Sequence, residues 1–318
     1  MRIKTQTLCI ILISLMVLMV FLLSLIISPF YVGGDQVHYR AVYERLPDLG
    51  IIEAFTFYSS SLSSLEMVHF FLSWLASRVV EKDLFVALSN AALAYATILL
   101  FRKWRVSLLI TALFIFTNFY WFVLYFSAER LKFGILFLFL SILYLERIKV
   151  FCFLGFLALI SHVQVILIYT SLLFQFVLKK LLRFFTTGLV SKTVLLVIFF
   201  ALVPVFIMRE QLMTKFHSYY EFREIVDLLK VFILLVLSLW YSRKRLETVL
   251  MFIPIIGAVL LVGGERVNVL GYFLFLYYAL PVNRGYNFGI LATSLYFMFS
   301  SFRYMENILK YGDGFYGN

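Results

Sequence analysis

The chain is 318 residues long, 63% apolar and 14% charged, with a mean hydropathy of +0.98 and a formal net charge of +11. A water-soluble domain carries about 25% charged and 45–50% apolar residues, so this composition excludes a soluble fold and places nearly the whole chain in or near lipid. The two cysteines, Cys9 and Cys152, stand inside apolar runs, which excludes a disulfide framework or a cysteine metal site. The basic surplus sits at the ends of apolar runs, as the positive-inside rule expects, and not in the patch that nucleic acid would need.

Taken in chain order, the apolar runs define the elements. Met1 to Lys4 opens onto an apolar run to Phe30. That run is too long for a signal peptide and lacks a small-x-small cleavage site, so 5–30 reads as a retained first helix. A first loop, 31–64, carries Gly33, Gly34 and Asp35, then Tyr39 and Tyr43. The i, i+4, i+8 spacing of Asp35, Tyr39 and Tyr43 puts them on one helix face, with Asp35 at the helix start, where an aspartate serves as N-cap. Segment 65–80 makes only a short helix, expected to dip without crossing or to pair with 51–62 as a hairpin. Spans are expected over 83–101, 106–125 and 132–145. Run 150–178 is too long for one upright helix and too short for two full ones, so it reads as a hairpin with His162 at its apex. Further spans follow over 193–208, 228–241, 247–263, 267–281 and 288–302, with a second large loop at 209–227 and a tail at 303–318. The expectation is one domain, 1–318, forming an all-α polytopic membrane bundle of about 10–12 membrane segments.

Short basic loops fix the orientation. Arg102 to Arg105, Arg147 with Lys149, Lys179 with Lys180 and Arg183, and Arg243 to Arg245 belong on the cytoplasmic side. Met1–Lys4, Lys192 and Arg284 join them. Fifteen of the 28 basic residues but two of the 17 acidic ones then fall on that side. The acidic residues collect on the outer face, which marks it as the face that carries chemistry. The N-terminus is expected in the cytoplasm and the tail outside.

Several outer-face groups have the chemistry for a site. Asp35 is a carboxylate that can take a proton from a sugar hydroxyl. Glu129, Arg130 and Lys132 open a helix between two apolar runs; arginine's planar fork matches phosphate, while snorkelling and a helix-end glutamate explain the trio equally. His162 is ionisable within an apolar run, where such residues are costly and usually functional. Loop 209–227 mixes aromatics with charge and offers Arg223 to phosphate. Gly263-Gly264-Glu265-Arg266 repeats the Glu-Arg arrangement, and two glycines before a helix make an anion seat. The aromatics Tyr120, Trp121 and Tyr125 read as an interfacial belt. No metal-binding or phosphate-loop motif occurs, so the chemistry is expected to run on carboxylates and arginines without cofactor.

Asp35, Tyr39 and Tyr43 in the first outer loop, Arg130 opening a later helix, His162 in a broken apolar run, and Glu265-Arg266 followed by Tyr272 together resemble the EpsG-type polysaccharide repeat-unit polymerases of the Wzy O-antigen and capsule class. Gln164 stands where that family tends to have a serine after the histidine. The resemblance implies a bacterial inner-membrane enzyme with a GT-C-like arrangement and a periplasmic site. Its substrates would be glycans on undecaprenyl pyrophosphate, and a chain-length regulator and a flippase would be its partners. It implies Asp35, Glu265 and His162 as catalytic groups, and Arg130, Arg223, Arg266, Tyr39 and Tyr43 as holding pyrophosphate and sugar. A transferase using a polyprenyl-phosphate sugar, or a flippase for lipid-linked oligosaccharides, remain the alternatives.

Overall fold

The computed structural model describes residues 2–187, 225–264 and 267–316, and among these every regular element is a helix. The expected span 193–208, Arg223 and the Glu265-Arg266 pair lie outside the described residues. The chain forms two compact units, 1–163 with 283–318, and 164–282.

The first unit contains α1 (Arg2–Ile27), α2 (Asp35–Arg45), α3 (Ile51–Leu62), α4 (Met67–Ala76), α5 (Lys82–Lys103), α6 (Leu108–Thr117), α7 (Phe119–Phe126), α8 (Glu129–Leu143) and α9 (Ile148–Ser161). The last described helix of the chain, α14 (Phe288–Tyr311), returns to it. Helices α1, α5, α8 and α9 pack side by side in that order, while α14 packs on α6 and α7. Thr7–Phe30 and Lys82–Lys103 are long and apolar enough to cross a membrane, and α6 with α7 would make a third span if counted as one bent helix. Asp83 in the first turn of α5 and Arg102 and Lys103 in its last turn complement the helix dipole.

The expected span 106–125 is two helices, bent by 55°. Asn118 causes the break. Its backbone is extended, and its side chain accepts from Tyr120 N at 3.0 Å, so it starts a new helix instead of continuing the old one. Tyr120, Trp121 and Tyr125 are buried, not belt-like. Trp121 Nε1 donates to Thr97 Oγ1 at 3.2 Å, and Phe101 and Phe114 meet its ring at 6.1 and 5.7 Å. Packing inside a protein core, and not headgroup contact, therefore accounts for these aromatics.

Segments 51–62 and 65–80 do form a packed helix pair, α3 and α4, joined through Ser63 in the left-handed region (φ 46°). Ala54, Tyr58 and Phe70 of this pair bury themselves against Val42 of α2 and Leu46. Helix α2 begins at Asp35, as its sequence indicates, and buries Tyr39 and Tyr43 on one face. Gly34, and not Asp35, is its N-cap (φ 53°). The C-terminal tail fixes this turn. The Val32 and Gly33 amides both donate to Gly312 O at 3.1 and 2.7 Å, and a Cβ on Gly34 would stand 3.1 Å from Asp313 Oδ1.

In run 150–178, α9 stops at Ser161, His162 is extended (φ −159°, ψ 125°), and α10 starts at Val165 and continues to Thr187, beyond its expected end. The break falls at the histidine and also separates the two units. The second unit contains α10, α11 (Ile225–Tyr241), α12 (Arg245–Val262) and α13 (Val267–Ala279). There α11 packs on α12 and α13, and α10 packs on α12. Gln175 Nε2 on α10 donates to Glu247 Oε2 on α12 at 2.6 Å.

Candidate functional site

Five elements of the first unit bring ionisable side chains to one place: α2, the start of α4, the start of α5, the start of α8 and the end of α9. The start of α8 is the hub. Its consecutive residues Glu129 and Arg130 point to different partners, because successive helical positions are about 100° apart. Each carboxylate in the cluster gathers its own set of donors.

Glu66, the residue before α4, takes one set. Arg130 Nη1 lies 3.0 Å from Glu66 Oε2, which also accepts from Ser64 Oγ at 2.8 Å. Its other oxygen meets His162 Nδ1. Arg130 Nε donates to Tyr39 Oη at 2.9 Å, and the guanidinium carbon sits 5.7 Å from the Tyr39 ring centroid. Glu66 and His162 are buried, while the Arg130 side chain is 15% exposed and forms the open edge of the group. With Glu66 ionised, its oxygen accepts from His162 Nδ1.

Glu129 takes the second set, deeper in the unit. Lys82 Nζ lies 2.6 Å from Oε2 and Gln36 Nε2 donates to Oε1 at 2.7 Å. Gln36 Nε2 also donates to Phe126 O at 2.6 Å. His69 Nε2 stands 3.5 Å from Oε2, an ion-pair separation longer than a hydrogen bond. Tyr58 Oη is 2.8 Å from His69 Nδ1. Burial pushes the Tyr58 and Tyr39 phenols up, so both stay protonated at neutral pH. Tyr58 can therefore donate to Nδ1, leaving the His69 proton on Nε2, towards Glu129. Behind this, Lys132 Nζ reaches only neutral acceptors among the described residues: Asn90 Oδ1 at 2.7 Å and Tyr125 O at 3.4 Å. Asn90 Nδ2 donates on to Ser24 Oγ at 3.0 Å.

Lys82 and Arg130 thus each have a carboxylate partner, Glu129 and Glu66. Buried charges persist when paired and hydrogen-bonded.

Of the residues singled out from sequence, Tyr39, Arg130 and His162 come together, joined through Glu66. Tyr43 does not join them. Its hydroxyl donates to Val80 O at 2.9 Å, its ring stacks on Phe85 at 5.6 Å, and Lys82 Nζ sits 5.2 Å from its centroid. Asp35 is half-buried at the first turn of α2, one helical turn beyond Tyr39. Glu66, Lys82, His69 and Gln36 were not foreseen. Glu66 carried a signal, as a single carboxylate directly before a short apolar helix.

In the second unit, Glu265 and Arg266 of the expected anion seat lie outside the described residues, and Asp227 packs beside Gly264. Asp227 fills the space: a Cβ on Gly264 would stand 2.0 Å from the Asp227 Cβ. Asp227 Oδ1 accepts from Lys230 Nζ at 2.8 Å and from Asn268 Nδ2 at 3.1 Å.

No family model, no curated protein and no solved structure matches the chain.

Proposed function

We propose that the chain is a bacterial inner-membrane glycosyltransferase, GT-C-like with about 10–12 membrane segments. In this reading it joins undecaprenyl-pyrophosphate-linked repeat units into O-antigen or capsular polysaccharide at the periplasmic face. The observation that carries the reading is the Glu66–His162–Arg130 group. It offers a carboxylate-held imidazole beside a guanidinium at its partly exposed edge, and it sits at the helix ends remote from the basic turns Arg102–Arg105 and Arg147–Lys149. With those turns cytoplasmic, the group faces the periplasm, as do the first loop and the tail.

In the proposed reaction, a hydroxyl of the acceptor repeat unit attacks the anomeric carbon of the donor glycan. The new C–O bond forms as the bond from that carbon to the pyrophosphate oxygen breaks, and the electron pair leaves with the lipid pyrophosphate. The His162 imidazole takes the hydroxyl proton, and Glu66 holds the ring and stabilises the imidazolium that results. Arg130 stabilises charge developing on the leaving group. Glu66 is a positioning residue, and so is Tyr39, which steadies the guanidinium. His162 takes the base role in this scheme because it lies beside Glu66 and Arg130.

The test is a polysaccharide ladder from cells whose chromosomal copy carries His162→Gln or Glu66→Gln, with the membrane level of the protein measured in parallel. Collapse to the single-repeat product at normal protein level is expected. A normal ladder overturns the site, and loss of the single-repeat product as well points to a flippase or an earlier transferase.

A further inference from the structure

The turn that launches α2 is held by a segment far from it in sequence. After α14, residues Gly312 to Tyr316 fold back over Val32, Gly33 and Gly34. Gly312 caps α14 in the left-handed region (φ 73°), and its carbonyl accepts from the Val32 and Gly33 amides. The fold-back leaves no room for a side chain at Gly314, where a Cβ would lie 2.1 Å from the Tyr304 ring. Asn307, buried near the end of α14, ties the segment to its helix. Its Nδ2 donates to Gly314 O at 3.3 Å and to Tyr316 O at 3.2 Å. Phe315 then packs edge-on against Tyr304 at 5.3 Å.

From Gly33 the connections run inward. Gly33 O accepts from the Gln36 amide at 3.1 Å, and Gln36 Nε2 donates to Glu129 Oε1 at 2.7 Å. One turn further along α2, Tyr39 Oη accepts from Arg130 Nε at 2.9 Å. Asn307, the 312–316 turn, the first turns of α2 and the two residues that open α8 thus form one hydrogen-bonded line. Side chains on a helix move with its axis, so the place where the first turn of α2 is pinned decides where the Tyr39 hydroxyl stands. A misplacement of about 1 Å far from the reacting atoms can cost about a hundredfold in rate.

We propose that Asn307 is a positioning residue: through the Gly312–Tyr316 turn it sets the place of α2, and so presents Tyr39 to Arg130. Its effect on activity rests on the proposed glycosyltransferase reading, and its effect on α2 rests on the fold alone.

The first arm of the test needs no turnover. Amide hydrogen exchange is measured on the full chain in phosphatidylethanolamine nanodiscs, wild type beside Asn307→Ala. Alanine keeps the helix and removes both bonds to the turn. Exchange within 35–45 is expected to quicken about tenfold, with α5 and α8 at the wild-type rate. A cysteine pair checks the cause. A Cβ on Gly33 would lie 3.0 Å from the Asp313 Cβ, and a disulfide places its Cβ atoms about 3.5–4.5 Å apart. Gly33→Cys with Asp313→Cys can therefore close over the turn after a shift of about half an ångström. Added to Asn307→Ala in a chain carrying Cys9→Ala and Cys152→Ala, the oxidised pair should return α2 to the wild-type rate, and reduction should release it. Unchanged exchange in α2, an equal rise across α5 and α8, or no difference between oxidised and reduced pair overturns the proposal.

The second arm reads the polysaccharide ladder at measured membrane level. Asn307→Ala should slow chain growth by up to about a hundredfold. Adding it to Tyr39→Phe should cost nothing more, because residues that act through one contact are non-additive. A further loss in the double variant means that Asn307 serves general stability, and it overturns the positioning role. A normal ladder from His162→Gln with a responsive α2 sinks the enzyme reading and leaves the placement of α2 standing. A ladder that needs His162 with an unresponsive α2 sinks this proposal alone.

Discussion

Glu129 and Glu66 are both buried carboxylates, each placed where chain segments distant in sequence converge, yet their surroundings assign them opposite tasks. Glu129 is fully enclosed and answered by an ammonium at 2.6 Å and an amide at 2.7 Å, with a histidine held nearby. Glu66 holds a buried imidazole and a guanidinium at the open edge of the group. In the proposed reading the first carboxylate spends its lone pairs on the protein, and the second lends them to a group that can meet a substrate. The contrast between the two clusters rests on Lys82 and Arg130. Lys82 is 8% exposed and flanked by the Tyr39, Tyr43 and Phe85 rings at 5.6, 5.2 and 5.7 Å, whereas Arg130 keeps 15% of its side chain open.

The sharpest way to break this contrast is to remove Glu129. Glu129→Leu leaves Lys82 as an uncompensated buried charge, and breaking such a pair costs about 3–5 kcal/mol. The variant is expected to fall out of the membrane fraction or to lose most of its thermal stability in detergent. Adding Lys82→Met should recover part of that loss, because the two charges belong to one pair. A Glu129→Leu protein as stable as the wild type would mean the deep cluster is not what holds α5, α2 and α8 together.

Glu66→Gln is the counterpart and should act on activity more than on stability. Glutamine keeps the size and an acceptor oxygen, so insertion survives, but the amide cannot stabilise an imidazolium. Loss of general-base catalysis is expected to lower the polymerisation rate by about 10²–10⁴-fold. His162→Gln should do the same, and the double variant should be no worse than either alone, since residues acting as one unit are non-additive. Independent, multiplying losses would show that the carboxylate and the imidazole do separate jobs, and would remove Glu66 from its positioning role.

A smaller effect separates Tyr43 from Tyr39. Tyr43→Phe removes one hydrogen bond to Val80 O and keeps the stacked ring, so it should cost about 0.5–1.5 kcal/mol of stability and leave the ladder unchanged. Tyr39→Phe removes the acceptor of Arg130 Nε and should shorten the ladder at unchanged protein level. Equal behaviour of the two variants would mean that the helix face, and not the Arg130 contact, matters.

The parts of this arrangement legible in the sequence were those with a local cause. The start of α2 and its tyrosine face follow from glycine and 3.6-residue spacing, the α3–α4 pair from two short apolar runs, and the break at His162 from a run of the wrong length. Each has its signal in one continuous stretch of sequence. The broken helix at Asn118 was missed although asparagine is a good cap, because the apolar pattern on both sides is continuous. The partners of His162 and Arg130 were missed for a different reason. Glu66 lies 96 residues from His162 in sequence, and Lys82 lies 47 from Glu129. Such pairs arise from packing of α4 and α5 on α8 and α9, and no period or motif announces them. Arg130 was read as half of a local Glu-Arg unit, whereas its neighbour Glu129 turns to another cluster altogether.

Asp35 gives the finest test of the contrast between enclosed and open groups. It shares a helix with Tyr39 and was the natural candidate for a base, as a carboxylate after two glycines. In the fold it is the first residue of α2, where Gly34 provides the cap and the C-terminal Gly312–Asp313 segment closes over the turn. A carboxylate in the first turn of a helix gains about 0.3–1 kcal/mol from the dipole. Asp35→Asn is accordingly expected to lower stability by no more than that and to leave ladder length unaltered, with melting in detergent and the ladder measured on one preparation. A collapsed ladder from Asp35→Asn at full protein level would move the base from the α9 break to the first loop, and with it the claim that reactivity at this end of the molecule follows from a buried partner that fixes the reacting group.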